Sequence, residues 1–186
     1  MRKNFGAKPW LYPMPVFILG TYNADGTPNA MNAAWGGISE ENEIFVCVSD
    51  DHKTTENFLQ SGAFTVSVAT AETVVAADYV GIVSGNDTPD KLAPTGWHAE
   101  KSAFVNAPLF AELPMALECE VVSYDKETCR LFGRIVNVSA DERVLDEKGR
   151  IDAERLAPIV YDPVAHVYRP LGAPLARAFQ AGKQLT

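Results

Sequence analysis

The turn Asn23-Ala24-Asp25-Gly26 limits the folds open to this chain more than any other local feature. Before it, Val16 to Tyr22 is rich in β-branched and aromatic residues, which suit a pleated, half-buried surface. Gly26 tolerates positive φ, so the chain reverses there and returns alongside itself through Pro28 to Trp35. The return strand is odd. Asn29, Ala30, Met31, Asn32, Ala33 and Ala34 are mostly small or amide-bearing and fill a core poorly. They leave room beside the backbone, as a flat ligand requires.

Further strand signals follow. Glu43 to Ser49 holds the apolar run Ile44-Phe45-Val46-Cys47-Val48, which predicts burial on both faces. Phe64 to Ala69 reads as a fourth strand. Ala116 to Ser123 alternates, with Leu117, Cys119 and Val121 on one face and Glu118 and Glu120 on the other. Asp125 to Thr128 turns the chain into a strand over Cys129 to Ser139, and Asp146-Glu147-Lys148-Gly149 is another turn. His166-Val167-Tyr168 forms a last short strand before a tail rich in Ala and Gly. One short helix is expected from an N-cap at Thr54 or Thr55 to near Gly62. A second spans Thr70 to Val83, with Val75, Tyr79 and Ile82 at helical spacing. Ser84 to Trp97 is a loop region with one short helical turn. Strands outnumber helices and tight turns join several of them. The fold class predicted is mainly β, a closed antiparallel barrel with a few peripheral helices, rather than a parallel α/β sheet. No repeat, low-complexity tract or linker interrupts the 186 residues, so residues 1–186 read as a single domain.

Charge and motif content exclude several functions. The formal net charge is -8 and the Lys and Arg residues are scattered, so neither nucleic acid nor an anionic membrane is an expected partner. The longest apolar stretch near the N-terminus, Val16-Phe17-Ile18-Leu19, is far short of the ~20 residues of a membrane helix. Arg2 and Lys3 lead into no apolar segment of a signal peptide. Cys47, Cys119 and Cys129 are odd in number and form no C-x-x-C pair, which points to reduced thiols in the cytoplasm. With His52, His98 and His166 they match no familiar zinc spacing, so no metal is expected. No G-x-S-x-G elbow, P-loop or G-x-G-x-x-G fingerprint is present.

Two segments carry candidate chemistry. Lys53 followed by Thr54 and Thr55 at a helix start is a good anion site, because free N–H groups and the helix dipole attract phosphate there. The competing reading is a capping Thr54 beside a solvated Lys53. In Asn29 to Trp35, amide groups and open strand backbone suit the heteroatom edge of a flavin-like ring, with Trp35 flanking its plane. There the competing reading is a closely packed strand with Trp35 in the core. Lys91, in Asp90-Lys91-Leu92, either reaches a phosphate, pairs with an acidic neighbour or is solvated.

An ordered set of motifs runs through these segments. It comprises Pro13-x-Pro15, Asp25-Gly26-x-Pro28-Asn29-x-Met31-Asn32-x-x-Trp35 and Ser49-x-x-x-Lys53-Thr54-Thr55-x-Asn57. Ser84-Gly85, Asp90-Lys91, Leu117-Glu118-Cys119, Gly133-x-Ile135 and Tyr168-x-x-Leu171-Gly172 complete it. By these motifs the chain resembles the flavin reductase-like, FMN-binding split-barrel family over nearly its whole length, and within it is similar to the flavoredoxins. The resemblance implies a split β-barrel homodimer with FMN near the subunit interface. The ring would lie along Asn32, Ala33, Ala34 and Trp35, with Val48, Ser49 and Asp50 adding contacts. The phosphate would sit at His52, Lys53, Thr54 and Thr55, with Lys91 as a further cofactor-binding candidate. Many relatives carry Arg where this chain has Lys53, and Lys supplies the charge without the bidentate fork. The activity implied is hydride transfer from NAD(P)H to flavin N5 and onward to an acceptor, either flavin or protein. Such a transfer needs no acid–base side chain, so none is nominated as catalytic. The alternative is a flavoredoxin-type electron-transfer protein that holds FMN tightly and has no direct NAD(P)H activity; a flavin-free binding protein is a minor third.

Overall fold

The computed structural model describes residues 1–185. Twelve strands occur in chain order: β1 Met14–Pro15, β2 Phe17–Tyr22, β3 Pro28–Ala33, β4 Gly36–Glu40, β5 Glu43–Cys47 and β6 Ala63–Val68 come first. β7 Ala99–Lys101, β8 Pro108–Phe110, β9 Met115–Asp125, β10 Arg130–Ala140, β11 Ile159–Asp162 and β12 Val167–Pro170 follow. Helix α1 (Lys53–Ser61) lies between β5 and β6, α2 (Val74–Ile82) follows β6, and α3 (Ala153–Leu156) precedes β11.

Seven strands form one antiparallel sheet in the order β3-β2-β6-β9-β10-β5-β4. Its two edges, β3 and β4, are consecutive in sequence and joined only by Ala34 and Trp35. Laid flat, seven strands would put those edges roughly 29 Å apart, six spacings of about 4.8 Å. Three peptide steps of about 3.8 Å reach no more than ~11 Å. The sheet therefore has to curl until its edges meet, and the right-handed twist of strands gives it the direction. No ladder joins β3 to β4 among the described residues, so the barrel is split along that seam. The Cys47 amide donates to the Trp35 carbonyl at 2.7 Å and ties the link to β5. β1, β11 and β12 form a small second sheet, and β7 pairs with β8.

The curled sheet buries both faces of its middle strands. Leu19, Ile44, Val46, Phe58, Phe64, Val66 and Leu131 pack together on one side, joined by α1 through Phe58. Ile18, Ala30, Ala77, Val80, Trp97 and Phe110 pack on the other, under α2. Alternation along β2 sends Ile18 and Leu19 into different clusters.

The fold is mainly β, as its turns predict, and the three tight turns form where expected, with Gly26 and Gly149 at φ 85 and 71. Several elements differ in detail. His52, rather than Thr54 or Thr55, occupies the N-cap position of α1, and both threonines are buried within its first turn. α2 starts at Val74, because the Thr70 amide donates to Thr73 Oγ1 and makes a separate turn before it. Of its three residues at helical spacing, Val75 and Ile82 point outward at 80% and 75% exposure, while Tyr79 is half-buried against the core beside the buried Ala77 and Val80. In β5, Ile44 and Val46 are buried while Phe45 and Cys47 are half-buried, so the run is one-sided. Glu118, assigned to a polar face, is buried: it accepts from Asn137 Nδ2 at 2.7 Å and from the Ser102 hydroxyl. Strands β1, β4, β7, β8 and β11 carry no sequence signal, being short or, in β4, largely exposed. No helix among the described residues is long and apolar enough to cross a membrane.

The closing link leaves no room for a side chain at its far end. A Cβ on Gly36 would lie 2.5 Å from the Phe45 carbonyl oxygen and 3.2 Å from the Phe17 ring, whereas one on Gly37 would meet nothing nearer than 3.7 Å. Gly36→Ala is expected to lower stability by about 1–3 kcal/mol in urea denaturation, with Gly37→Ala much nearer neutral. Equal effects would show that the seam is not tightly closed at Gly36.

Candidate functional site

The chain leaves β5 along a fixed path into α1. The Val48 amide donates to the Cys129 carbonyl and the Val48 carbonyl accepts from the Tyr124 hydroxyl, each at 2.8 Å. Burial first, then Cys129, pushes that hydroxyl up to about 12, so it stays a donor. The Ser49 carbonyl accepts from Thr55 Oγ1 at 2.7 Å and from the His52 amide at 3.3 Å, which folds Ser49–His52 back onto the helix start. His52 makes no side-chain cap, and its Nδ1 is buried without a partner. The His52 carbonyl accepts from the Thr55 and Glu56 amides, so the Lys53 and Thr54 amides, ahead of the first helical bond, point from the helix end.

Both threonine hydroxyls work inside the protein. Thr54 Oγ1 accepts from Asn29 Nδ2 at 2.9 Å, and Asn29 Nδ2 also reaches Thr21 Oγ1. Asn57 Nδ2 bonds Thr21 Oγ1 and Asn23 Oδ1, so a buried amide–hydroxyl network joins β2, β3 and α1. Lys53 Nζ pairs with Glu56 Oε1 at 2.9 Å on the rim. The loop after α2 closes the other side. A Cβ on Gly85 would stand 2.9 Å from Asn29 Oδ1 and 3.2 Å from Lys53 Cβ, and Asn86 Nδ2 donates to the Asp51 carbonyl. The result is a concave bed with open amides, one cation and a glycine wall.

Farther along β3 lies a cleft of about 460 Å³, lined by Asn32 to Trp35 on one side and by Asp78, Gly81 and Ile82 of α2 on the other. Tyr161, His166 and Tyr168 close its end. Asn32 Nδ2 donates to the Ala77 carbonyl at 2.9 Å, and a Cβ on Gly81 would fall 2.9 Å from Asn32 Cβ, so strand and helix are in close contact. The Tyr168 hydroxyl donates to Asp78 Oδ1 at 2.8 Å; burial, then that carboxylate, pushes it up to about 12 and keeps it protonated. Tyr161 Oη and His166 Nδ1 are 2.7 Å apart. Trp35 is 55% exposed, outside the core, and separates this cleft from an apolar groove beside Trp10 and Phe45. Asn29 at the bed and Asn32 at the cleft are three residues apart on β3, about 10 Å at ~3.3 Å per residue.

The structure brings Asn32, Ala34 and Trp35 into the cleft and His52, Lys53, Thr54 and Thr55 around the bed. Ala33 lines the cleft but packs its methyl in the core, and Val48 is buried, with its amide bonded to Cys129 and its carbonyl to Tyr124. Ser49 and Asp50 are exposed beside the bed; Lys126 at 2.8 Å lowers the Asp50 carboxyl below its usual range. Lys91 is neither solvated nor paired with an acid. It is buried, and its Nζ donates to the Val80 and Val83 carbonyls at 3.2 and 2.9 Å, capping the C-terminus of α2. Sequence reasoning missed Asp78, Tyr161 and His166, which no periodicity marks; Tyr168 carried a motif but no assigned role.

Fold and site together define a split-barrel protein with a cleft beside β3 and, farther along the same strand, open amides at the start of α1. The chain belongs to the flavin reductase like domain family, whose model matches residues 10–168. It is similar to the flavoredoxin of Desulfovibrio vulgaris (Miyazaki F), at 37% identity over 98% of this chain and 100% of that one, with a TM-score of 0.93. Flavoredoxin from Methanosarcina acetivorans matches at 26% identity over the full length of both, with a TM-score of 0.89. Nitrilotriacetate monooxygenase component B from Bacillus cereus shares the fold, at 22% identity, 90% and 88% coverage and a TM-score of 0.76.

Burial lowers the Lys91 ammonium from an ordinary 10.5 to about 8. Between those values the unfolded chain holds a proton that the fold gives up. Stability contributed at this position therefore rises as pH climbs from about 8 to 10.5. Urea midpoints of the wild type minus those of Lys91→Met should climb across that window; a flat difference would mean the carbonyls of α2 keep the ammonium fully charged.

Proposed function

We propose that this chain binds FMN, with the phosphate in the α1 bed and the ring in the β3–α2 cleft, and works as an NAD(P)H-dependent flavoprotein oxidoreductase. One observation carries the reading: an anion bed and a flat cleft sit about 10 Å apart along a single strand, β3. The residues fit the group. Open amides at Lys53 and Thr54 suit phosphate oxygens, the unpartnered His52 Nδ1 stands beside them, and Gly85 supplies a wall free of side chain. When bound, the flavin supplies a two-electron acceptor for hydride.

The chain's own residues bind and orient. Lys53 neutralises phosphate charge, in competition with Glu56, and its ammonium gives a single contact rather than a fork. Asn32 is held by Ala77, so its amide oxygen remains as an acceptor at the cleft. Tyr168 is fixed as a donor to Asp78, and Trp35 walls the ring side. No side chain is assigned a proton transfer. Trp35 and Ile82 are large, apolar and exposed at the cleft's rim, which supports a homodimer with the second copy covering them. A nicotinamide, then a flavin or protein acceptor, would use the remaining open side. Three free cysteines fit a cytoplasmic setting.

The whole-length likeness to two flavoredoxins favours a second reading, an electron carrier with tightly held FMN and no direct NAD(P)H activity. Protein loaded with FMN and freed of excess should keep a flavin spectrum that anaerobic NADH or NADPH bleaches within seconds. A retained spectrum that neither reductant changes would select the carrier. A protein that retains no flavin would reject both readings in their tight-binding form. Lys53→Met should weaken FMN by roughly tenfold, about 1.4 kcal/mol, and leave riboflavin unchanged in fluorescence titrations. Equal losses for the two ligands would remove the phosphate from the α1 bed.

A further inference from the structure

The last fifteen described residues follow β12 and lie beyond the family match. They contrast with the body of the protein in two ways. Leu175 and Phe179 are 101% and 96% exposed, and Phe179 holds a left-handed φ of 59 that aromatic residues rarely adopt. From Leu171 onward the tail also contains Arg177 and Lys183 and no acidic residue, in a chain of net charge -8.

A matching surface lies on α2. Val75 and Ile82 face outward about 10.5 Å apart, seven residues at ~1.5 Å each. Beside them is a cleft of about 480 Å³ between Tyr79 and Trp97, with Glu72 and Glu112 among its lining residues. Arg143, its one lining cation, is engaged by Asp141 and the Ala111 carbonyl. Glu72 has no ion-pair partner among the described residues. Glu112 is held by His98 at 2.6 Å, so the face offers one carboxylate without an ion pair, Glu72, and the apolar tail offers a cation, Arg177.

We propose that the C-terminal tail of one copy docks on the α2 face of a second copy, with Phe179 entering the Tyr79–Trp97 cleft and Arg177 meeting Glu72. This rests on the two-copy assembly proposed above. A two-fold axis makes the contact reciprocal, so each subunit gives and receives a tail. Because α2 also carries Asp78 and Gly81, the docked tail braces the helix that walls the flavin cleft.

The test uses two full-length copies with different tags, both with Cys47→Ser and Cys129→Ser. One carries Val75→Cys and the other Ala178→Cys. Mild oxidation should join the two tags by a disulfide. Arg177→Glu on the tail copy should lower the yield by roughly 2- to 5-fold, the range of one exposed ion pair, and Glu72→Arg on the other copy should restore it. Light scattering on the same samples separates the outcomes. A dimer without cross-link overturns the docking and leaves the assembly standing; a monomer overturns both. A chain with both cysteines that closes an internal disulfide when diluted to monomer places the tail in cis and also overturns the proposal.

Discussion

The two-residue link between β3 and β4 determines the form of this protein. A seven-stranded antiparallel sheet whose edge strands are neighbours in sequence cannot remain open. Ala34 and Trp35 draw the edges together, and the Cys47 amide fastens the link to β5. The two-sided burial of β2, the seat of α1 against one face and that of α2 against the other follow from that closure. The pocket follows too, since its flat wall is the strand that ends at the seam.

Much of this was legible in the sequence because tight turns and alternating strands act locally. Gly26 and Gly149 mark reversals that any partner would have to accept, and β9 and β10 are long enough for their pattern to show. What was not legible depends on distant partners. Of the residues that helical spacing marks on α2, Val75 and Ile82 face outward and only Tyr79 packs against the core beside Ala77 and Val80; the close approach of α2 to β3 at Gly81 is set by tertiary packing that spacing does not show. Glu118 reads as solvent-facing by alternation, yet it is buried because Ser102 and Asn137, 16 and 19 residues away, supply its donors.

The candidate site divides in the same way. A Lys-Thr-Thr run at the start of a short helix is legible in the sequence as a candidate anion site, but the inward partners of its hydroxyls are not. Thr54 and Thr55 hold β3 and the Ser49 turn, which leaves the backbone amides as the donors facing outward. Lys91, read as a phosphate contact, a partner for an acidic neighbour or a solvated cation, instead caps the C-terminus of α2. The groups around the cleft that carried no signal, Asp78 on α2 and Tyr161 and His166 on the β11–β12 hairpin, come from two distant segments and meet only when that hairpin folds beside α2.

Trp35 belongs to both structures at once. The residue that shuts the barrel also stands between the cleft and the apolar groove on the N-terminal side. A lineage built on this fold cannot widen the pocket at that wall without loosening the seam, so its ligand preference has to drift on the opposite wall. Variation among relatives that differ in chemistry should therefore gather on α2 and the β11–β12 turn, while the link stays short.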